Sequence, residues 1–344
     1  MSDDVRKKRK DQHLRLALST EGEGAGLKDI QLRRPALPET SVDLVDTSVN
    51  LFGKHLNAPL LIEAMTGGTE WGKRINSSLS SIASRLGIGF ALGSGTVIAE
   101  DKEAEASFRI ARENNRQGLV LANCSPTTPI ETIERLIEIT EADALQIHLN
   151  AVQEALMPEG DRDFRWMDRI ASILSSVSVP VIIKEVGFGL DRESIQKLIQ
   201  TGVSFFDLGG RGGTDFARIE NNRSERDFDV SGVGLSTAQS LIDMRSMKNP
   251  DITYIASGGI RTPLDALKCM ALGASAVGIA SPVLKVLDRQ GEAACEAYLK
   301  EFISQLRLLM AIHGVSDVPH IKDIGFTLKG DLYTYAAQIE KMDK

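Results

Sequence analysis

Eight short apolar runs, each bounded by Gly or a polar residue and mostly followed by a helical stretch, organise the chain from residue 58 onward. Short apolar runs of this kind are typical of buried parallel strands. In the stretch that follows the first run, Ile75, Leu79, Ile82 and Leu86 share one helical face. Eight consecutive strand–helix units predict an α/β fold, a (β/α)8 TIM barrel. The predicted strands are 59–64, 87–92, 118–122, 144–149, 180–186, 204–208, 252–256 and 276–279.

The chain of 344 residues is longer than such a barrel requires. A barrel takes about 250 residues, which leaves roughly 90 for additions. We predict a single domain over 1–344, with an N-terminal extension at 1–50, the barrel at 58–310 and a C-terminal extension at 311–344. The polar segment 211–233, between the sixth and seventh strands, predicts a mobile loop at the active site. An open, doubly wound sheet is the alternative to the barrel.

The composition excludes several classes of protein. The net charge is -7, whereas nucleic-acid-binding domains carry a basic face, and aromatic residues make up only 5%. No apolar run approaches the ~18 residues of a transmembrane helix, and the N-terminus lacks the apolar stretch of a secretory signal. Cys124, Cys269 and Cys295 lack metal-ligand spacing, which favours reduced thiols. We therefore expect a cytoplasmic enzyme that binds neither nucleic acid nor membrane.

The predicted strands end in small or hydrogen-bonding residues, and strand ends carry the chemistry of this fold. Gly258 and Gly259 follow the seventh strand, and Ala280 and Ser281 follow the eighth. Exposed backbone N–H groups and a helix N-terminus at these positions predict a phosphate site. A pair of tight turns is the alternative.

Lys184 interrupts the apolar fifth strand. Because an unpaired buried ammonium is costly, it must be paired or point into the barrel mouth. An ion pair with Glu185 or Asp207 would make it structural, whereas contact with a bound anion or an electron-rich ring would make it functional.

Two further segments carry charge or metal-binding potential. The segment 148–164 holds carboxylates, amides and one histidine, too few strong ligands for zinc but suited to Mg²⁺ completed by water and substrate phosphate. A solvated loop is its alternative. The basic run 6–10, followed by His13, predicts either a disordered tail or a clamp for a diphosphate.

Together these motifs resemble one family, the type 2, flavin-dependent isopentenyl-diphosphate isomerases. The combination of QEALMPEGDR with KEVGFG and GRGGTDFA is the most specific part of the resemblance, which spans 9–281 in the family's order. The matching segments are RKDQH (9–13), AMTGG (64–68), GSG (93–95), HLNAVQEALMPEGDRDF (148–164), VPVIIKEVGFG (179–189), GGRGGTDFARIENNR (209–223), SGGIR (257–261) and GIAS (278–281).

The resemblance implies reversible isomerisation of isopentenyl diphosphate to dimethylallyl diphosphate by a 1,3-allylic proton shift, in isoprenoid biosynthesis. It implies reduced FMN, NADPH or NADH as reductant, Mg²⁺, and a homo-oligomer, either a tetramer or an octamer. The implied FMN-binding residues are Ala64, Met65, Thr66, Ser94, Asn123, Lys184, Thr214, Gly258, Gly259, Ile260, Arg261, Ala280 and Ser281. The implied substrate-binding residues are Arg9, Lys10, His13 and Gln153, the catalytic residues are Gln153, Lys184, His148 and Asn150, and the Mg²⁺ ligand is Glu154.

The chemistry and two departures from the family pattern refine these expectations. Lys184 beside the ring would favour an anionic reduced flavin. We expect the flavin and Gln153 to handle the two proton transfers, with Gln153 as a positioner because an amide is a poor base.

Glu63 stands where family members often have Asn, and Gly209 where they often have Ser. We expect both to alter flavin affinity without loss of function.

Three other functions would require different residues. A 2-hydroxy-acid oxidase needs a late histidine base with an arginine, and the candidates His313 and His320 lie beyond the eighth strand. An enzyme similar to IMP dehydrogenase needs a nucleophilic cysteine in the loop after the sixth strand, which reads GGRGGTDFA. A non-catalytic flavin- or phosphate-binding protein would not require Gln153, Glu154 and the N-terminal clamp.

Overall fold

The computed structural model of the chain describes residues 3–20, 22–224, 228–230 and 232–342, with side chains from residue 8 onward. The strands are β1 Ile30–Leu32, β2 Val49–Leu51, β3 Lys54–Leu56, β4 Leu60–Ile62, β5 Gly89–Ala91, β6 Val120–Cys124, β7 Ala144–Leu149, β8 Val181–Glu185, β9 Phe205–Asp207, β10 Thr253–Ser257, β11 Ala276–Ile279 and β12 Phe326–Leu328. The helices are α1 Asp3–Ser19, α2 Glu70–Leu86, α3 Ala106–Asn114, α4 Ile130–Thr140, α5 Ala151–Leu156, α6 Met167–Ser176, α7 Arg192–Gln200, α8 Phe216–Ser224, α9 Thr237–Ser246, α10 Pro263–Ala271, α11 Ser281–Gln290, α12 Glu292–Ile312 and α13 Gly330–Met342.

Strands β4 to β11 form a closed, all-parallel barrel. The first and last of them pair directly, with Val277 of β11 opposite Leu60 of β4. This closure confirms the predicted TIM barrel and rules out the open sheet. Each of the eight predicted strands overlaps one barrel strand, and β6 and β10 extend past the predicted ends. No helix in the described part of the chain combines the length and the apolarity needed to cross a membrane.

Helix α2 shows why the predicted helical stretches fold as they do. Thr69 caps its N-terminus by accepting the N–H of Gly72 at 2.9 Å, and Gly87 ends it in the left-handed conformation, at φ 65°. The four apolar residues predicted to share one face, Ile75, Leu79, Ile82 and Leu86, are all buried. The helix therefore packs on the barrel through a single apolar face.

Alternate residues of the barrel strands point into the barrel, because side chains alternate along a strand. The inward residues nearer the strand starts form an apolar layer: Leu61, Ala91, Leu121, Ala144, Ile182 and Ile255. Two positions further along, the inward residues are polar and buried. We call this set the polar layer: Glu63, Asn123, Gln146, Lys184, Asp207 and Ser257. The strand period of two therefore places a ring of polar groups directly beneath the barrel mouth.

The segments outside the barrel close its lower end and join the chain termini. Leu51 and Leu56, from the β2–β3 hairpin, pack into the apolar layer. Strand β1 pairs antiparallel with β12, with Ile30 opposite Leu328. At the mouth, α1 contacts α8 and α11. The division into an extension at 1–50, a barrel and an extension at 311–344 stays a prediction.

The segment predicted as a mobile loop contains helix α8. Ala217, Ile219 and Glu220 of this helix are buried, and its Arg223 pairs with Glu220 three residues earlier. The loop prediction was wrong over 216–224, because the polar side chains of this stretch are paired with one another and with neighbouring elements. Positions 225–227 and 231 lie outside the described residues.

Candidate functional site

A cavity of about 740 Å³ opens at the carboxyl ends of the barrel strands. Cavities of this size hold extended small-molecule ligands. Its lining combines residues from the ends of all eight barrel strands with residues of α1. Every site residue predicted from the sequence lines it: Arg9, Lys10, His13, Ala64, Met65, Thr66, Ser94, Asn123, His148, Asn150, Gln153, Glu154, Lys184, Thr214, Gly258, Gly259, Ile260, Arg261, Ala280 and Ser281.

One side of the cavity is built from backbone. Gly258 and Gly259 have φ values of 96° and 74°, in the region that favours glycine. A Cβ on Gly258 would lie 2.0 Å from the carbonyl oxygen of Gly210, so backbone packs closely here. Helix α11 begins at the cavity, and Ala280 gives its first N–H groups no side-chain cap. These open N–H groups fit a phosphate.

Gly209 also occupies a position where a side chain does not fit. Its φ is 50°, and a Cβ would lie 1.7 Å from the carbonyl oxygen of Glu185. The serine that family members often carry would therefore need a different local backbone. Gly209 follows β9, so this close approach sets the path of the chain into the loop that ends at Thr214.

Lys184 is the centre of the polar layer. Its Nζ lies 2.6 Å from Oδ2 of Asp207 and 3.1 Å from Oε2 of Glu63. Burial acts to lower the pKa of Lys184, but the charges of Asp207 and Glu63 outweigh it and raise that pKa above its usual value. The predicted ion pair with Asp207 is present. Glu185 instead accepts the backbone N–H groups of Gly187 and Gly189, at 2.7 and 2.9 Å.

The two carboxyl groups beside Lys184 have different proton affinities. Burial, and after it the charge of Glu63, raises the pKa of Asp207 to about 7. Burial also acts on Glu63, but the charge of Lys184 outweighs it and holds the pKa of Glu63 below its usual value. Ser257 donates its hydroxyl to Asp207. Near neutral pH this layer therefore contains a group that can bind or release a proton.

Hydrogen bonds connect this cluster to His148. Gln146 Nε2 donates to Asp207 Oδ2 at 3.4 Å, and Asn123 Nδ2 donates to Gln146 Oε1 at 3.0 Å. Asn123 Oδ1 is therefore the acceptor that lies 2.8 Å from His148 Nδ1. Burial, followed by the charges of Lys184 and Lys10, lowers the pKa of His148 to about 4. The imidazole is neutral at pH 7, with its proton on Nδ1 and Nε2 available to accept.

The start of α5 holds three of the predicted polar residues in contact. Asn150 Nδ2 donates to Glu154 Oε1 at 3.0 Å and approaches Gln153 Oε1 at 3.5 Å. The other oxygen of Glu154 accepts the N–H of Asp161 at 2.8 Å. The described residues contain no group of three His, Cys, Asp or Glu side chains arranged for a metal ion. A single carboxylate at the cavity fits Mg²⁺ that takes its remaining ligands from substrate phosphate and water.

Helices α1 and α8 meet above the cavity in a set of ion pairs. His13 Nε2 lies 2.7 Å from Glu220 Oε1, and Gln153 Nε2 donates to the same oxygen at 3.2 Å. Burial acts to raise the pKa of Glu220, but the hydrogen bond and charge of His13, with the charge of Arg223, hold it below its usual value. Glu220 is therefore an ionised carboxylate that connects the N-terminal helix to Gln153.

The remaining contacts of this set bind basic residues to acceptors. Lys10 Nζ donates to the carbonyl oxygens of Gly67 and Ser94 at 2.7 and 2.9 Å. Arg223 Nη2 donates to Glu159 Oε1 at 2.7 Å, and Arg9 lies 3.6 Å from the same oxygen. We call the whole set the clamp: Arg9, Lys10, His13, Glu159, Glu220 and Arg223.

Three members of the clamp, Glu159, Glu220 and Arg223, were not predicted from the sequence. For Glu220 and Arg223 the available signal was their spacing, since an acid and an arginine three residues apart pair on a helix. The polar composition of the stretch predicts a loop instead, where that spacing carries no such meaning. Glu220 contacts His13 and Gln153. These partners are 207 and 67 residues away from it along the chain.

The side chains that two of the alternative functions require lie outside the cavity. His313 Nδ1 bonds to the carbonyl oxygen of Leu309 at the end of α12, and His320 pairs with Asp317 at an exposed position. Neither histidine lines the cavity. All three cysteines are buried with free thiols, and burial raises the pKa of Cys124 to about 12. The cavity therefore offers neither the late histidine of an oxidase nor a nucleophilic thiolate.

The chain is similar to known proteins in sequence and in fold. The chain matches the FMN-dependent dehydrogenase family over residues 100–325. It is 38% identical to an isopentenyl-diphosphate delta-isomerase of Staphylococcus saprophyticus, over 98% of each chain. It is 40% identical to that of Listeria monocytogenes, over 95% of this chain and 93% of the relative. A mandelate oxidase variant solved with a monooxide FMN adduct has a TM-score of 0.66 at 17% identity, over 91% of this chain and 92% of that one, which is a likeness of fold.

Proposed function

The chain belongs to the FMN-dependent, type 2 isopentenyl-diphosphate delta-isomerases, and we propose that it interconverts isopentenyl and dimethylallyl diphosphate with reduced FMN and Mg²⁺ in the cavity at the barrel mouth. One observation carries this proposal. The residues expected to bind flavin, metal and substrate come from distant parts of the chain, and all of them line one cavity of about 740 Å³.

The cavity fits a flavin in three respects. Gly258, Gly259 and the open start of α11 offer backbone N–H groups to a phosphate. Thr66 is buried, and its Oγ1 has no hydrogen-bond partner among the described residues, so it can bond to a polar atom of a ligand. Lys184 supplies a buried positive charge. When bound there, reduced FMN supplies an electron-rich ring and an exchangeable proton next to the substrate double bond.

The polar layer and the clamp then have separate tasks. Lys184 stabilises negative charge on the reduced flavin. His148 offers its neutral Nε2 as an acceptor. In the clamp, Arg9, Lys10 and His13 bind the substrate diphosphate. Their present partners are carboxylates and carbonyl oxygens, which a diphosphate replaces as the stronger acceptor.

Three residues of α5 and α8 hold the metal ion and orient the substrate. Glu154 binds Mg²⁺ together with diphosphate oxygens. Gln153 orients the substrate through its amide, which Glu220 holds by accepting from Nε2. Because an amide neither gives nor takes a proton readily at neutral pH, Gln153 acts through position, and its amide contacts the ionised Glu220.

The isomerisation of isopentenyl diphosphate under anaerobic conditions tests the proposal. With FMN, NADPH and Mg²⁺ present, we expect dimethylallyl diphosphate, and we expect no product when FMN or Mg²⁺ is left out. Bound FMN without product would overturn the activity and favour the non-catalytic flavin-binding alternative. Gln153→Ala should lose most of the turnover, and near-normal turnover would remove Gln153 from the mechanism.

We propose further that NADPH or NADH reduces the flavin, that the protein is cytoplasmic, and that it forms a tetramer or an octamer. The proposed assembly is supported by Leu308 and Ile312, which are one turn apart on α12 and are 50% and 39% exposed. Light scattering coupled to size exclusion measures the mass directly, and a monomer at micromolar concentration would contradict it. Anaerobic bleaching of FMN by each nicotinamide identifies the reductant.

A further inference from the structure

Glu63 is a buried carboxylate for which the proposed reaction has no use. It follows β4 and is about 3% exposed. Its Oε2 contacts Lys184 and accepts the N–H of Ala64 at 3.1 Å. Its Oε1 accepts no hydrogen bond from the described N–H and O–H groups and lies beside Gly278. A Cβ at position 278 would come within 2.3 Å of that oxygen, so the glycine gives Glu63 its room.

Asp207 shares the surroundings of Glu63. It contacts the same ammonium, that of Lys184, at 2.6 Å, and Glu63 contacts that ammonium at 3.1 Å. Both carboxyl groups are buried, and one ammonium balances the charge of only one ionised carboxylate. Two like charges in one buried site also resist joint ionisation. The geometry therefore favours one proton in this cluster.

We propose that Glu63 and Asp207 share one proton beside Lys184 and form an acid pair whose proton number responds to the charge of the flavin ring. One ammonium, one carboxylate and one carboxylic acid make the cluster electrically neutral. With Asn at position 63 the cluster would also be neutral, but it would have no proton to exchange. The shared proton is a property of the chain alone, whereas its response rests on the proposed function.

The groups around the pair do not compete with it for the exchangeable proton near neutral pH, with Glu185 as the exception. Across the cavity, His148 is neutral because its pKa is lowered to about 4. Ser257 donates to Asp207 and does not titrate. Lys10 lines the cavity from α1. Burial raises the pKa of Glu185 to about 7, so the test must separate that group from the pair.

Reduction of the flavin would change the charge that faces the pair. Hydride from a nicotinamide brings two electrons and one proton to the ring and leaves it with one negative charge. A negative charge nearby raises the proton affinity of a carboxylate. The pair then takes a further proton from solvent, and its negative oxygen is neutralised. Reduction of the bound ring therefore takes up more than one proton in this chain and one proton when positions 63 and 207 are both Asn.

Infrared difference spectra between the flavin-free wild type and its flavin-free variants test the shared proton. At neutral pH we expect a C=O stretch of a protonated carboxylic acid that both Glu63→Gln and Asp207→Asn remove. Glu296→Gln, at a surface ion pair, is the matched control and should leave the band unchanged. A band that survives in Glu63→Gln would belong to another group, such as Glu185, and would overturn the pair, as would absence of the band.

Potentiometric titration of the FMN-loaded chain tests the response. From about pH 6 to about pH 8, the midpoint potential of wild type should fall with a slope that corresponds to more than one proton per two electrons. The double variant Glu63→Asn with Asp207→Asn, which has neither carboxyl group beside Lys184, should give one proton. Equal slopes would overturn the response. A chain that shows the infrared band but binds no FMN would overturn the proposed function together with the response, and would leave the shared proton standing.

Discussion

The polar layer and the clamp both surround the cavity with charge, but they are built differently. In the polar layer the charges stand on barrel strands, and register places Lys184 opposite Asp207. In the clamp they stand on α1, on α8 and in the turn after α5, and the side chains of Arg9 and His13 are 21% and 19% exposed, against 8% for Lys184. Fixed charges suit a cofactor that stays bound, whereas exchangeable ion pairs suit a substrate that enters and leaves.

The largest difference between the two regions should appear on removal of Lys184. Lys184→Met leaves two buried carboxyl groups without their cation, which we expect to cost about 3–5 kcal/mol of unfolding free energy. Lys54→Met is the matched control, because Lys54 pairs with Asp143 at 3.3 Å in a partly exposed position, where a pair contributes at most about 1 kcal/mol. Urea unfolding measures both. Equal losses would contradict the large cost that we assign to an unpaired buried charge in the polar layer.

Removal of the charge at the centre of the clamp should affect the rate more than the fold. Glu220→Gln keeps the shape but weakens charged hydrogen bonds to His13 and Gln153, each contributing about 1.5–3 kcal/mol. We expect kcat to fall about tenfold or more while FMN affinity stays within about twofold. Steady-state kinetics and flavin titration check the two values. Loss of FMN binding in this variant would show that the regions are not separate.

A smaller effect is expected at the edge of the clamp. Arg9→Ala removes a weak ion pair with Glu159, so the unfolding free energy should change by less than about 1 kcal/mol. The KM for isopentenyl diphosphate should rise about tenfold, since a charged hydrogen bond to the diphosphate is lost. Arg109→Ala, on the surface pair with Glu105, is the control. An unchanged KM would remove Arg9 from the substrate site.

A further effect should be a pH dependence centred on His148. Its pKa is lowered from 6.5 to about 4 in the folded chain. Between these values the unfolded chain binds the proton and the folded chain does not, so wild type loses stability as the pH falls. His148→Gln should lack that loss. Urea unfolding of both proteins at neutral pH and near pH 5 measures it, and a constant difference between the proteins would contradict the neutral imidazole.

The barrel and most of the cavity lining could be predicted because both follow from local patterns. An apolar run marks each strand, and the period of two sends the residue two positions beyond an inward apolar one into the polar layer, as Leu61 precedes Glu63. The clamp acids could not be found in this way. Glu220 and Glu159 are placed by ion pairs across the mouth, and Arg223 meets Glu159 64 residues away. Such contacts exist only once the barrel is closed.

Isomerisation in deuterated water tests most directly whether this cavity carries out a proton shift on bound substrate. With reduced FMN and Mg²⁺ under anaerobic conditions, we expect dimethylallyl diphosphate whose new methyl group, formed from the terminal methylene, carries a solvent deuterium. Proton NMR of the product reads this label. Wild type and Glu63→Asn should both give it, and Lys184→Met should not. An FMN-loaded chain that forms no product, or forms product without the label, would contradict the proposed reaction.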